Sequence, residues 1–159
     1  MFVRAVSLSL LSFLVLPVHA AGNAAGAGLA PRPGLWAQTI TGDRAPAPIQ
    51  MKICVGVAEP GDNPFGPQSE EDGEECPTNE IKRTAGGLSY VRVCRLNPGT
   101  MTSKGTVTGD LNTSYRVAGT VEVAGVKLAP GESKLSRYQA SARYLGACPA
   151  GMEPGDTAP

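Results

Sequence analysis

Histidine is all but missing from this chain. The one copy, His19, falls in a stretch that reads as a secretory signal peptide. Arg4 supplies a positive charge, Ala5 to Val18 is apolar, and Val18-His19-Ala20 places small or branched residues ahead of a cut before Ala21. The apolar run is too short and wrongly flanked for a transmembrane anchor. No Cys follows it to take a lipid. With residues 1–20 removed the chain has no imidazole, which excludes a His base, a Ser-His pairing and a His metal ligand. Cys-x-x-Cys is absent as well: 21, 17 and 53 residues intervene between Cys54, Cys76, Cys94 and Cys148, against both a zinc ribbon and a thioredoxin-like centre. Charge excess is missing too. Beyond residue 20 there are 13 basic and 14 acidic residues, a balance that does not suit a nucleic-acid binder.

Helical periodicity is the last absence, and what stands in its place is alternation. From Met101 to Thr108 and again from Ser114 to Val123, polar and apolar residues take turns, as in half-buried strands. Gly109-Asp110-Leu111-Asn112-Thr113 between them carries turn formers, so a hairpin is predicted, with Thr108 opposite Ser114. Its dry face holds Met101, Val107, Tyr115, Val117, Val121 and Val123, together with Ser103, Gly105 and Gly119. The small residues leave room there for a neighbouring side chain or a ligand. Trp36, Ile40, Tyr90, Tyr138 and Tyr144 are the candidates to fill it.

Leu35 to Ile40 and Ile49 to Val55 read as two earlier strands joined by a proline-rich link. Asn79 to Ala85 and Leu88 to Cys94 form another hairpin about Gly86-Gly87, with Ala85 opposite Leu88. That register brings Cys94 close to Cys76 and predicts their disulfide, which leaves Cys54 to pair with Cys148. A last strand from Ser133 to Leu145 sets Tyr138, Ala140, Ala142 and Tyr144 on one face and Arg137, Gln139, Ser141 and Arg143 on the other. With Lys104 and Arg116, those arginines are expected to keep an outer face soluble. About seven short strands predict an all-β domain, an antiparallel sandwich or partly open barrel stapled by two disulfides.

The remaining segments read as connections. Residues 21–30 are a flexible leader, residues 31–148 the single β-rich domain, and 149–159 a small, proline-rich tail expected to be disordered. Within the domain, residues 56–75 form a loop with seven acids and no base. Its spacing is not that of an EF-hand, so a solvated, mobile loop is expected and no metal site.

Pro33-Gly34-Leu35-Trp36 opens the first strand, Cys54 closes the second, and the Cys76…Cys94 hairpin follows. Then come Met101-Thr102-x-x-Gly105-x-Val107-Thr108, Tyr115, Gly119-Thr120 and Arg143-Tyr144-Leu145-Gly146-Ala147-Cys148. In this order the motifs resemble the domain-of-unknown-function family 3617, small exported proteins of Gram-negative bacteria, over about residues 31–148. The family usually has a short Thr-Pro-Glu-type helix after the second-strand Cys; here Val55 to Glu75 replaces it with prolines, glycines and acids. The resemblance implies a periplasmic β-rich module and carries over no catalytic residue and no cofactor.

The expected function is therefore a non-enzymatic exported envelope protein, a small binding or accessory module. Trp36, Gly105, Tyr115, Gly119, Tyr138 and Tyr144 are its candidate ligand-facing residues, and an apolar small molecule or an envelope protein its candidate partner. One alternative is a structural subunit that pairs through a sheet edge. The other is a hydrolase built on carboxylates, which needs a fixed acid pair that a mobile loop does not supply.

Overall fold

The computed structural model describes residues 29–59, 61–65 and 75–159; the expected signal peptide, residues 21–28 of the leader and residues 60 and 66–74 of the acidic loop lie outside the described residues. Eight strands form: β1 (Gly34–Gly42), β2 (Ile49–Val55), β3 (Thr78–Thr84), β4 (Gly87–Leu96), β5 (Gly99–Gly109), β6 (Ser114–Ala124), β7 (Leu135–Gly146) and β8 (Thr157–Ala158). They make one antiparallel sheet in the order β3-β4-β5-β6-β7-β1-β2-β8. The described residues are all-β and antiparallel, as expected, in one sheet that is not closed into a barrel. Aromatic side chains and one residue from a loop, rather than a second sheet, cover its inner face.

Both expected hairpins form, each two residues away from the expected register. In the central one Thr108 pairs with Arg116 rather than Ser114, and Gly105 rather than Ser103 faces Gly119. A shift of two preserves parity, so every side chain keeps its face. The turn chemistry is what selects between the two registers. Asp110 accepts hydrogen bonds from the backbone N–H groups of Asn112, Thr113 and Ser114 and from the Thr113 hydroxyl. Those bonds hold its carboxyl well below the ordinary value of 3.8. The tight turn puts Leu111 at φ 59°, a strained conformation for a Leu, and its side chain is buried in the core.

The β3–β4 turn is Ala85-Gly86, with Thr84 opposite Gly87 and Arg83, not Ala85, opposite Leu88. This carries Cys94 one step past the Thr78–Val93 pair and next to Cys76. Both disulfides form as expected, Cys76–Cys94 and Cys54–Cys148, with Cα separations of 3.9 and 5.6 Å. In chain-entropy terms they contribute about 3 and about 4.7 kcal/mol.

The tail differs from expectation. It turns at Pro149–Met152 and Glu153–Asp156 and then pairs with β2 as β8. Cys54 donates its N–H to Asp156 O and accepts from Gly155 N–H. The disulfide at Cys148 roots the segment beside β2, so little chain entropy is lost in laying it down. The expected solvated loop also differs where it is described: Asn63 and Phe65 are buried.

Candidate functional site

Alternation puts Leu88, Tyr90 and Arg92 of β4, Ser103, Gly105 and Val107 of β5, and Tyr115, Val117 and Gly119 of β6 on the inner face. Trp36, Gln38 and Ile40 of β1 and Tyr138, Ala140 and Ala142 of β7 share it. Every aromatic residue beyond position 20 gathers there. Trp36 is fully buried, its ring 5.1 Å from Tyr115 and 5.4 Å from Tyr144, and its indole N–H donates to Arg32 O. The Arg32 guanidinium stacks on the far ring, 4.5 Å from the Tyr144 centroid. Phe65 arrives from the loop and packs between Tyr90 and Tyr115, at 6.1 and 5.9 Å. Below it Arg92, itself buried, donates to Asn63 O at 2.6 Å and to Asn79 Oδ1 at 3.3 Å, which ties the loop to the sheet.

Two neighbouring cross-strand rows behave differently. One runs Tyr90, Gly105, Gly119, Tyr138, Gly42; the next runs Leu88, Val107, Val117, Ala140, Ile40. In the first row the two tyrosines lie down over the glycine pair and their hydroxyls hydrogen-bond to each other. A Cβ at Gly105 would stand 2.5 Å from Ala118 O and 2.6 Å from Tyr90 Oη; one at Gly119 would stand 2.5 Å from Tyr90 Oη and 2.8 Å from Tyr138 Oη. Only glycine admits the rings. Burial and then the bond with Tyr138 push the Tyr90 phenol far above its ordinary value. Ser103 Oγ, buried beside this pair, makes no hydrogen bond of good geometry.

The Tyr138 ring leans over Gly119, and Gly42 on its other side borders open space. The space left is a trough of about 620 Å³. Ile40, Val117, Val121 and Ala140 form its floor, Phe65, Tyr115 and Tyr138 its aromatic wall, and the loop from Thr41 to Pro46 its rim. Gln38 Nε2 donates to Tyr115 Oη at 3.0 Å within the lining. Burial pushes the Tyr115 phenol up to about 12 against the opposing pull of that bond. It therefore stays neutral at physiological pH.

Of the expected ligand-facing residues, Tyr115 and Tyr138 line the trough. Gly105 and Gly119 lie beneath the tyrosine pair, while Trp36 and Tyr144 stack behind Tyr115 as packing. The structure therefore brings them to one face but divides them between a filled part and an open part. Phe65 and Ile40 join the trough; Phe65 is hard to single out in the sequence because it sits among acids and prolines. Its signal was a lone aromatic in an otherwise polar loop. Lys104, Arg116, Arg137 and Arg143 are exposed; Arg137 reaches the trough's edge, and the other three lie on the opposite face.

Among the described residues, no group of three or more His, Cys, Asp or Glu side chains is placed to hold a metal, and no helix is long and apolar enough to cross a membrane. The two disulfides suit an oxidising compartment. No curated protein and no solved structure matches the chain. A family model does, over residues 31–148: the chain belongs to the family described as "Protein of unknown function (DUF3617)".

Proposed function

We propose that this chain is a non-enzymatic, exported binding module that holds an apolar small molecule in the trough on the inner face of its sheet. The observation that carries the reading is the trough itself: about 620 Å³ of space, floored by aliphatic and walled by aromatic side chains, beside a row in which two tyrosines cover a glycine pair. The secretory layout of residues 1–20 and the disulfides support periplasmic residence. Support for a non-catalytic role is electrostatic. The perturbed groups are two phenols held neutral and an aspartate at work in a turn away from the trough; none is a base poised near neutral pH.

The test is native mass spectrometry of protein purified from periplasm without detergent. A mature N-terminus at Ala21 and a co-purifying apolar small molecule are the expected results. A retained leader would overturn the exported reading. A clean apo mass, with no uptake from envelope lipid extract, would overturn the binding reading. One observation favours a second role: β3 forms a seven-residue edge with no neighbouring strand on its outer side among the described residues. An envelope partner could add a strand there, and a periplasmic pull-down that Ile81→Pro abolishes would support that role.

A further inference from the structure

We infer that the trough takes an anionic amphiphile: a single acyl chain along the aliphatic floor, with its negatively charged head at Arg44 on the rim. This rests on the reading of the trough as a binding site and adds the ligand's charge. The argument begins with sign. Among the described residues the lining contains two arginines, Arg44 and Arg137, and no Asp or Glu. Arg137 projects from the outer-facing row of β7 toward Asp43, whose carboxylate lies 3.9 Å from its guanidinium and also accepts the Arg137 N–H. Arg44 has no carboxylate partner among the described residues, and one Nη2 bond to Ser133 O, at 2.9 Å, holds it. A guanidinium has five N–H donors, so most of them remain for a ligand.

Geometry gives the rest. Ser133 precedes β7, and Arg44 follows the end of β1. The Arg44–Ser133 bond therefore anchors the guanidinium beside the rim, where it is exposed to solvent. Ala45 and Pro46 continue the rim, and beneath them lie Ile40, Val117 and Ala140. A ligand with an apolar chain and an anionic head would thus have its chain dry and its head wet. A cationic head would meet the Arg44 guanidinium, with the nearby Asp43 carboxylate already engaged by Arg137. Because the head site is exposed, the charge contributes modestly, and the chain supplies most of the affinity.

Isothermal titration of the mature, disulfide-bonded protein at pH 7.5 with dodecanoate, dodecanol and dodecylamine, all below their aggregation limits, separates chain from charge. Dodecanoate is expected to bind about threefold to fivefold more tightly than dodecanol. Dodecylammonium should bind more weakly than either. Arg44→Gln should bring dodecanoate down to the dodecanol value and leave dodecanol unchanged; Arg44→Lys should keep part of the gap, which added salt closes. Lauroyl-lysophosphatidate in the same series distinguishes heads: tighter binding than dodecanoate assigns a phosphate monoester, weaker binding a carboxylate, and both support the inference. Equal binding of acid, alcohol and amine, unaffected by Arg44→Gln, would overturn the anionic head while the trough reading stands. Binding of none of them would overturn the trough reading itself. Ala140→Phe, which fills the floor, should abolish all binding; undiminished uptake by a folded Ala140→Phe protein would place the chain elsewhere and overturn both.

Discussion

The two adjacent rows on the inner face make the same sheet solid in one place and hollow in the next. In the row of Tyr90, Gly105, Gly119 and Tyr138, the largest side chains flank the smallest, and the rings fold flat over the glycines. In the row of Val107, Val117, Ala140 and Ile40 every side chain is aliphatic; Val107 is sealed in the core, and the other three floor the trough. Total volume is not what separates them. In this sheet the seal forms where the largest side chains lie over the smallest, and the trough opens beside it over aliphatic side chains.

The comparison can be broken most forcefully by Tyr90→Ala. It removes one of the two covering rings and its contact with Phe65, and a loss of roughly 3–5 kcal/mol in urea unfolding is expected. Smaller, at roughly 1–3 kcal/mol, is the effect of Gly119→Ala, whose methyl group collides with both hydroxyls. Ala140→Val adds bulk to the hollow row and should leave the unfolding midpoint nearly unchanged; equal losses from the two substitutions would erase the distinction between the rows. Tyr138→Phe keeps the ring and removes one partner of the hydroxyl pair, at an expected cost of about 0.5–1.5 kcal/mol.

The last and smallest effect concerns Asp110, which fixes which residues share a row at all. Its carboxyl is held below 3.8, so the carboxylate's contribution is fully present above that value and is lost as pH falls through the lowered one. The difference in melting temperature between the native chain and Asp110→Ala should therefore be constant from pH 7 down to about pH 4 and shrink below it. A difference that grows in acid would contradict the turn's role.

These particulars show which parts of the molecule were legible in its sequence. Facing was legible, because parity is a local property: Tyr115, Val117 and Tyr138 had to point the same way as their i±2 neighbours. The disulfides followed, since Cys76 and Cys94 lie near each other in either register. Register was not legible. A slip of two leaves every face intact, and the competing turns differ only in how the Asp110 carboxylate is used. That uncertainty passed directly to the site, because it set Ser103 opposite Gly119 where Gly105 belongs and so hid the glycine pair that the tyrosines cover. Phe65 and the strand at Thr157–Ala158 were missed for another reason. Each lies in a segment of turn-forming composition, and only long-range partners, Tyr90 and Tyr115 for the one and β2 for the other, hold it in place.

Tyr138 has glycine on both sides, Gly119 across β6 and Gly42 across β1. The ring lies over Gly119, and a rotation about the Cα–Cβ bond would carry it toward Gly42. On Gly119 it completes the bond to Tyr90 and leaves the trough empty; on Gly42 it would occupy the trough and forfeit that bond. An occupant of the trough and the hydroxyl pair consequently favour the same rotamer. Thermodynamic reciprocity then requires that each strengthen the other by one common free energy. Weakening the tyrosine bond should loosen ligand binding from a distance, and a bound ligand should slow the flipping of a ring that it touches on one side only.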